Sequence, residues 1–190
     1  MKKLLFSLLV LGLIGVALSF PSQVSMVPVA QADNDRRTLV LEVAFDGRTF
    51  VPNPVDPTAT SGARGDTFVL NGKIFPGGTI PPGDGTFSPD AAGSIGTFIC
   101  RGTSLFSDAE IAAGAAPFVA TTQTWVLDNG NTLVTDGLEG NVSPIQRAVT
   151  GGTHEFRGAS GVVTLKLLGF NATGFEDYRA TFHLKRGDSD

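Results

Sequence analysis

The sequence predicts an all-β protein, folded as a closed antiparallel barrel or a sandwich. Three observations predict it. Short runs rich in Val, Phe, Thr and Ile recur along the chain, and these residues favour strands. Gly, Pro, Asn and Asp separate the runs, with 24 Gly and 11 Pro in 190 residues. No long helical pattern intervenes, and eight short strands with turns between them fit a barrel or sandwich. Closure is the favoured form because it removes exposed strand edges.

The first segment reads as an address. Lys2 and Lys3 precede an apolar run over residues 4–20, and Ala30, Gln31 and Ala32 supply a small-x-small cleavage site. This order of charge, apolar run and small residues is that of a secretory signal peptide. It predicts removal of residues 1–32 and a secreted or periplasmic domain over 33–190. The run is near the length that spans a bilayer, so an uncleaved anchor is the alternative. Cleavage would remove two Lys and no acid. The remaining 12 Lys and Arg against 18 Asp and Glu give a net charge of −6.

The strands are predicted at 38–45, 67–75, 94–106, 118–127, 131–138, 148–156, 162–170 and 177–185. Asp128, Asn129, Gly130 and Asn131 read as a tight hairpin turn. Residues 76–93 hold Pro76, Gly77, Gly78, Pro81, Pro82, Gly83, Gly85 and Pro89, the composition of a long irregular loop. Ser107 and Glu110 have the spacing of a capping box for one helical turn.

Several functions are excluded or disfavoured by content. An acidic chain lacks the basic footprint of a nucleic-acid binder. One Cys excludes an internal disulfide and a cysteine-cluster zinc site. With only His154 and His183 present, a His-rich metal site is not expected, and the sequence calls for no cofactor. Arg64, Gly65 and Asp66 spell an adhesion tripeptide, but three residues match readily by chance. Asn141 and Asn171 begin glycosylation sequons.

Alternation singles out one acid. In 38–45, Leu39, Leu41, Val43 and Phe45 share one face, and Val40, Glu42 and Ala44 share the other. Glu42 is a lone carboxylate in an apolar run. Its face either meets solvent or points into the barrel, where burial would penalise its charged form. In 94–106, Phe98 and Cys100 share a face, opposite Ile99 and Arg101.

The stretch from Arg147 to Ala159, centred on Gly151, Gly152 and Thr153, resembles a signature shared by plant dirigent proteins and allene oxide cyclases. The likeness extends to Gly65 and Asp66, to residues 71–75, to Ile99 and Cys100, and to residues 181–185. It implies an eight-stranded antiparallel β-barrel with an apolar central cavity, assembled as a homotrimer or other homo-oligomer. It places Glu42 on the cyclase glutamate and Cys100 on the cyclase cysteine. Glu42 then becomes the catalytic group, and Val40, Ala44, Asn71, Phe98 and Cys100 become the wall that binds substrate. The implied activity is an intramolecular cyclase or isomerase acting on a hydrophobic small molecule. A carboxylate in a dry cavity stabilises developing positive charge far better than one in water. The alternative is a non-catalytic dirigent-type binder or carrier. The sequence departs from the cyclase pattern at Ala44, where an asparagine is usual, and at His154, where a glycine is usual. Residues 76–93 are an insertion relative to the plant cyclases, and their cavity tyrosine has no counterpart before the Gly-Gly stretch.

Overall fold

A computed structural model describes residues 36–85, 87–140 and 143–185. The barrel lies within the unit Asp33–Asp190; the leader expected over residues 1–32 lies outside the described residues. Nine strands form one antiparallel sheet: β1 (Arg36–Phe45), β2 (Val51–Asn53), β3 (Thr67–Pro76), β4 (Gly96–Ser104), β5 (Val119–Leu127), β6 (Thr132–Glu139), β7 (Ile145–Gly152), β8 (Ser160–Phe170) and β9 (Glu176–Lys185). Sequential neighbours pair from β3 to β9, β9 pairs with β1, and β1 pairs back to β3. Eight strands therefore close the barrel, with β2 as a short extra strand against β3. The helical turn α1 (Asp108–Ala112) carries the expected capping box between Ser107 and Glu110.

Register fixes the faces, because residues paired across an antiparallel ladder point the same way. Leu41, Val43 and Phe45 point inward with Ile74, Ala180 and Phe182. One half of the interior is apolar and filled. Trp125 meets Phe98 and Phe182 edge to face, at ring-centroid distances of 4.8 and 5.2 Å, and Phe45 stacks on Phe98 at 5.0 Å. Such rings add attraction beyond area burial. The apolar central cavity expected from the resemblance is therefore occupied here by side chains. The other half of the interior, towards the end of β6 and the start of β7, is polar.

The inward assignment of Val40, Glu42, Ala44 and Asn71 is corrected. Glu42 pairs in register with Phe75 and Arg179, and all three belong to the outer face of the wall. Val40 is 39% exposed. Asn71 alternates with the inward Leu70 and also lies outside. Phe98 and Cys100 do point inward, as alternation and the resemblance together predict.

Glu42 is nevertheless fully buried, because residues 77–85 of the predicted loop are laid as a strap over the outer wall. Ile80 seats among Ala44, Phe75 and Leu168 as a second apolar cluster. The strap is tied along β8 by Gly83 N–H to the Leu168 carbonyl (2.9 Å) and Gly85 N–H to the Phe170 carbonyl (2.6 Å). Gly169 permits this approach, since a Cβ there would sit 2.3 Å from the Gly83 carbonyl oxygen. Glu42 clamps the arrangement: Oε2 accepts the Ile80 N–H at 2.6 Å, and Oε1 accepts Arg179 Nε at 2.8 Å.

A structural role for Glu42 has a measurable consequence. In Glu42→Gln the amide NH2 must face either the Ile80 N–H or the Arg179 guanidinium, donor against donor. Urea unfolding should show a loss of about 1–3 kcal/mol. An unchanged or raised stability would contradict the clamp.

The neighbouring Asp177 is also buried on the outer side, and accepts from Asn171 Nδ2 at 2.9 Å. Burial first, and the nearby Glu42 charge second, push its carboxyl up to about 6; the Asn171 hydrogen bond opposes them. The folded pKa lies above the ordinary 3.8, so the folded state binds the extra proton. The destabilisation is full above about pH 6 and is relieved as pH falls towards 4. Asp177→Asn should therefore be more stable than wild type by about 1–2 kcal/mol at pH 8. The difference should vanish near pH 4; a pH-independent difference would contradict this.

The same packing disposes of two motifs. Asn171 is 3% exposed, with its amide bonded to the Phe45 carbonyl and Asp177, so this sequon is structural. Asp66 accepts from the Val55 and Ala63 N–H groups, and Arg64 pairs with Glu110. The Arg-Gly-Asp triplet thus builds a turn; Asn141 lies outside the described residues.

Candidate functional site

The polar half of the barrel is built by alternation on four strands. β5 directs Thr121 and Gln123 inward, β6 directs Thr135 and Glu139, β7 directs Arg147, and β9 directs Tyr178. Gly137 leaves room for the arginine: a Cβ there would lie 3.1 Å from Arg147 Cγ.

Arg147 is 2% exposed. It donates to Glu139 Oε1 at 2.5 Å, to the Thr121 carbonyl at 2.6 Å and to the Thr135 carbonyl at 3.3 Å. Glu139 Oε1 also accepts Gln123 Nε2 at 2.8 Å and the Thr121 hydroxyl at 2.6 Å. Three donors thus converge on one oxygen. The other oxygen, Oε2, has no partner among the described residues and is not sealed off, since Trp125 Nε1 is the one buried side-chain polar atom without a partner among them.

Glu139 opens into a pocket of about 280 Å³ at the barrel mouth, lined also by Phe118, Ile145, Leu167, Phe170, Glu176 and Tyr178. Burial lowers the Arg147 pKa, against the pull of Glu139. Burial raises the Tyr178 phenol, with help from Glu176 and Glu139, so it remains a protonated donor. Cys100 lies beside this cluster; burial first, then Glu139, pushes its thiol up to about 12. It is an inert wall residue at neutral pH, since the thiolate is the reactive form.

Among the described residues, no group of three His, Cys, Asp or Glu could hold a metal ion. A larger depression of about 770 Å³ lies on the outer wall around Val69, Arg101 and Asp136. It is open, and Asp136 is already occupied by the Thr122 and Thr150 hydroxyls. The mouth pocket is the stronger candidate because its wall includes Glu139, the open end of the Glu139–Arg147 pair buried inside the barrel.

The structure thus separates the residues singled out in the sequence. Phe98 and Cys100 stay inside, while Glu42, Val40, Ala44 and Asn71 lie across the wall. Glu139, Arg147, Gln123 and Tyr178 were missed. The signal for Arg147 was present: Ile145, Arg147 and Val149 alternate on one face, an arginine within an apolar row.

The fold class is an eight-stranded antiparallel barrel of the architecture found in dirigent proteins and cyclase-like barrels. No protein-family model matches the chain, and no curated protein matches it. Among solved structures, it is similar to a pterocarpan synthase dirigent protein, with a TM-score of 0.60 and 13% identity over 84% of this chain and 100% of that one. A pyocyanin demethylase gives 0.52 and 16% over 78% and 100%. A Diels Alderase from Streptomyces koyangensis gives 0.50 and 12% over 82% and 72%. At these identities the likeness is one of fold.

Proposed function

We propose that the barrel binds a small, largely apolar organic molecule at the Glu139 mouth and guides its cyclisation, as an allene oxide cyclase-like or dirigent-like protein. The observation that carries this reading is the buried Glu139–Arg147 pair with one carboxylate oxygen left open to an aromatic-walled pocket. Three donors on Oε1 hold the carboxylate in place, so Oε2 is preorganised to stabilise positive charge or to accept a proton. The pocket walls would hold one conformer of a flexible ligand near its reacting geometry. The named chemistries of the structural neighbours support a small-molecule reaction in a barrel of this kind. Binding without turnover would make the protein a carrier.

The test is uptake of a neutral probe, 1-methylnaphthalene, by equilibrium dialysis and thermal shift. Ligand binding to the folded state should raise the melting temperature, and turnover is then sought with an unsaturated epoxide or a polyene. Absence of uptake of this probe and of charged aromatic probes of the same size would refute the reading. Export and removal of residues 1–32 belong to the same proposal, and amino-terminal sequencing of secreted protein should begin at Asp33; a start at Met1 in the membrane fraction would contradict it. We likewise infer a homo-oligomer, which sedimentation would reveal as a mass above that of one chain.

A further inference from the structure

The charge and wall chemistry of the mouth pocket narrow its ligand. Phe118, Phe170 and Tyr178 put three aromatic rings around it, and Glu139 and Glu176 put two carboxylates there. None of the described residues lining it is basic. The nearest buried cation, Arg147, is spent on Glu139 Oε1 and on the Thr121 and Thr135 carbonyls. Its charge therefore neutralises the inner side of the carboxylate, while Oε2 keeps its acceptor capacity towards the pocket. Glu176 at the rim has no ion pair among the described residues. The local sum is one arginine against two carboxylates, so the pocket is net negative. The upward push of both carboxylates on the Tyr178 phenol agrees with a negative field at that wall.

Aromatic faces and carboxylates act in the same direction on an organic cation: ring quadrupoles attract it, and so do the fixed negative charges. Both oppose a carboxylate ligand, which would also find no basic partner among the described lining. A volume of about 280 Å³ suits a bicyclic skeleton, roughly the space of nine waters. We propose that the mouth pocket selects a small aromatic organic cation, such as an N-alkylated heteroaromatic, and rejects anionic ligands. This rests on the reading of the mouth as the ligand site.

The experiment compares three probes of nearly equal size by equilibrium dialysis: N-methylquinolinium, neutral 1-methylnaphthalene and anionic 1-naphthoate. N-methylquinolinium should bind roughly tenfold more tightly than the neutral probe, and 1-naphthoate most weakly. Glu139→Gln should remove most of that preference. Glu176→Gln, a rim change outside the buried network, should reduce it about threefold, and keeps the test valid if Glu139→Gln folds poorly. Equal binding of the cationic and neutral probes, tighter binding of 1-naphthoate, or a preference unmoved by Glu176→Gln would overturn the inference while leaving the pocket as a ligand site. Failure of all three probes to bind would overturn both.

Discussion

Replacement of Arg147 by Met should cost about 3 kcal/mol of folding stability, lowering the melting temperature by roughly 6–12 °C. The guanidinium is shielded from solvent, and it serves Glu139 and two backbone carbonyls at once. Its removal leaves those acceptors short of a donor in a low-dielectric interior, which costs more than the pair gains when intact. The side chain of Glu139 is 18% exposed, so water at the mouth relieves part of the penalty and holds the effect at the low end of the range for a broken buried pair. The double variant Arg147→Met with Glu139→Gln should recover at least half of the loss, because it removes the uncompensated charge. Strictly additive losses in that double-mutant cycle would show that the two groups are not coupled.

Glu139→Gln should lower turnover by roughly 10²–10³-fold on whichever unsaturated epoxide or polyene the wild type converts. The exchange keeps size and keeps an oxygen acceptor for Arg147, Gln123 and Thr121. It removes the negative charge that Oε2 presents to the ligand. The loss should fall on kcat, because a group that acts on developing charge contributes little to ground-state binding. Affinity for neutral 1-methylnaphthalene should stay within about twofold of wild type, since area burial dominates its binding. Full turnover in Glu139→Gln would remove the residue from the chemistry; a parallel collapse of neutral-probe affinity would show that the variant had damaged the pocket itself.

The barrel was legible in the sequence because period-2 alternation and turn residues are local signals. All eight predicted runs overlap strands, and the Asp128–Asn131 turn and the Ser107 cap are where the residues place them. The misses have physical causes. β2 is three residues long and contains Pro52, too short for alternation to register. β7 begins at Ile145 rather than 148, and residues 154–156 form a 3-10 turn instead of its end. The late start hid Arg147, and with it the site. His154 has φ 50, in the left-handed region that favours glycine, so the departure puts a side chain on backbone that a glycine adopts more readily.

Glu42 failed for a different reason. Its strand is apolar on both faces, inward against the core and outward against the strap at Ile80. A strand dry on both sides carries no alternation signal for which side is the interior. Only the path of residues 76–93 settles it, and that path is tertiary information. The resemblance to the cyclases selected the wrong face for Glu42 while selecting the right architecture.

The central claim is that the ligand meets Glu139 inside the mouth and not Glu42 under the strap. Amide NMR spectra of the wild-type protein titrated with 1-methylnaphthalene test it most directly, because they locate the probe without assuming any reaction. The largest shifts are expected at Ile145, Leu167 and Tyr178, which line the mouth pocket, with Phe75, Ile80 and Leu168 unmoved. Shifts centred on Phe75, Ile80 and Leu168, the residues packed around Ala44 and Glu42, with a silent mouth, would contradict the account.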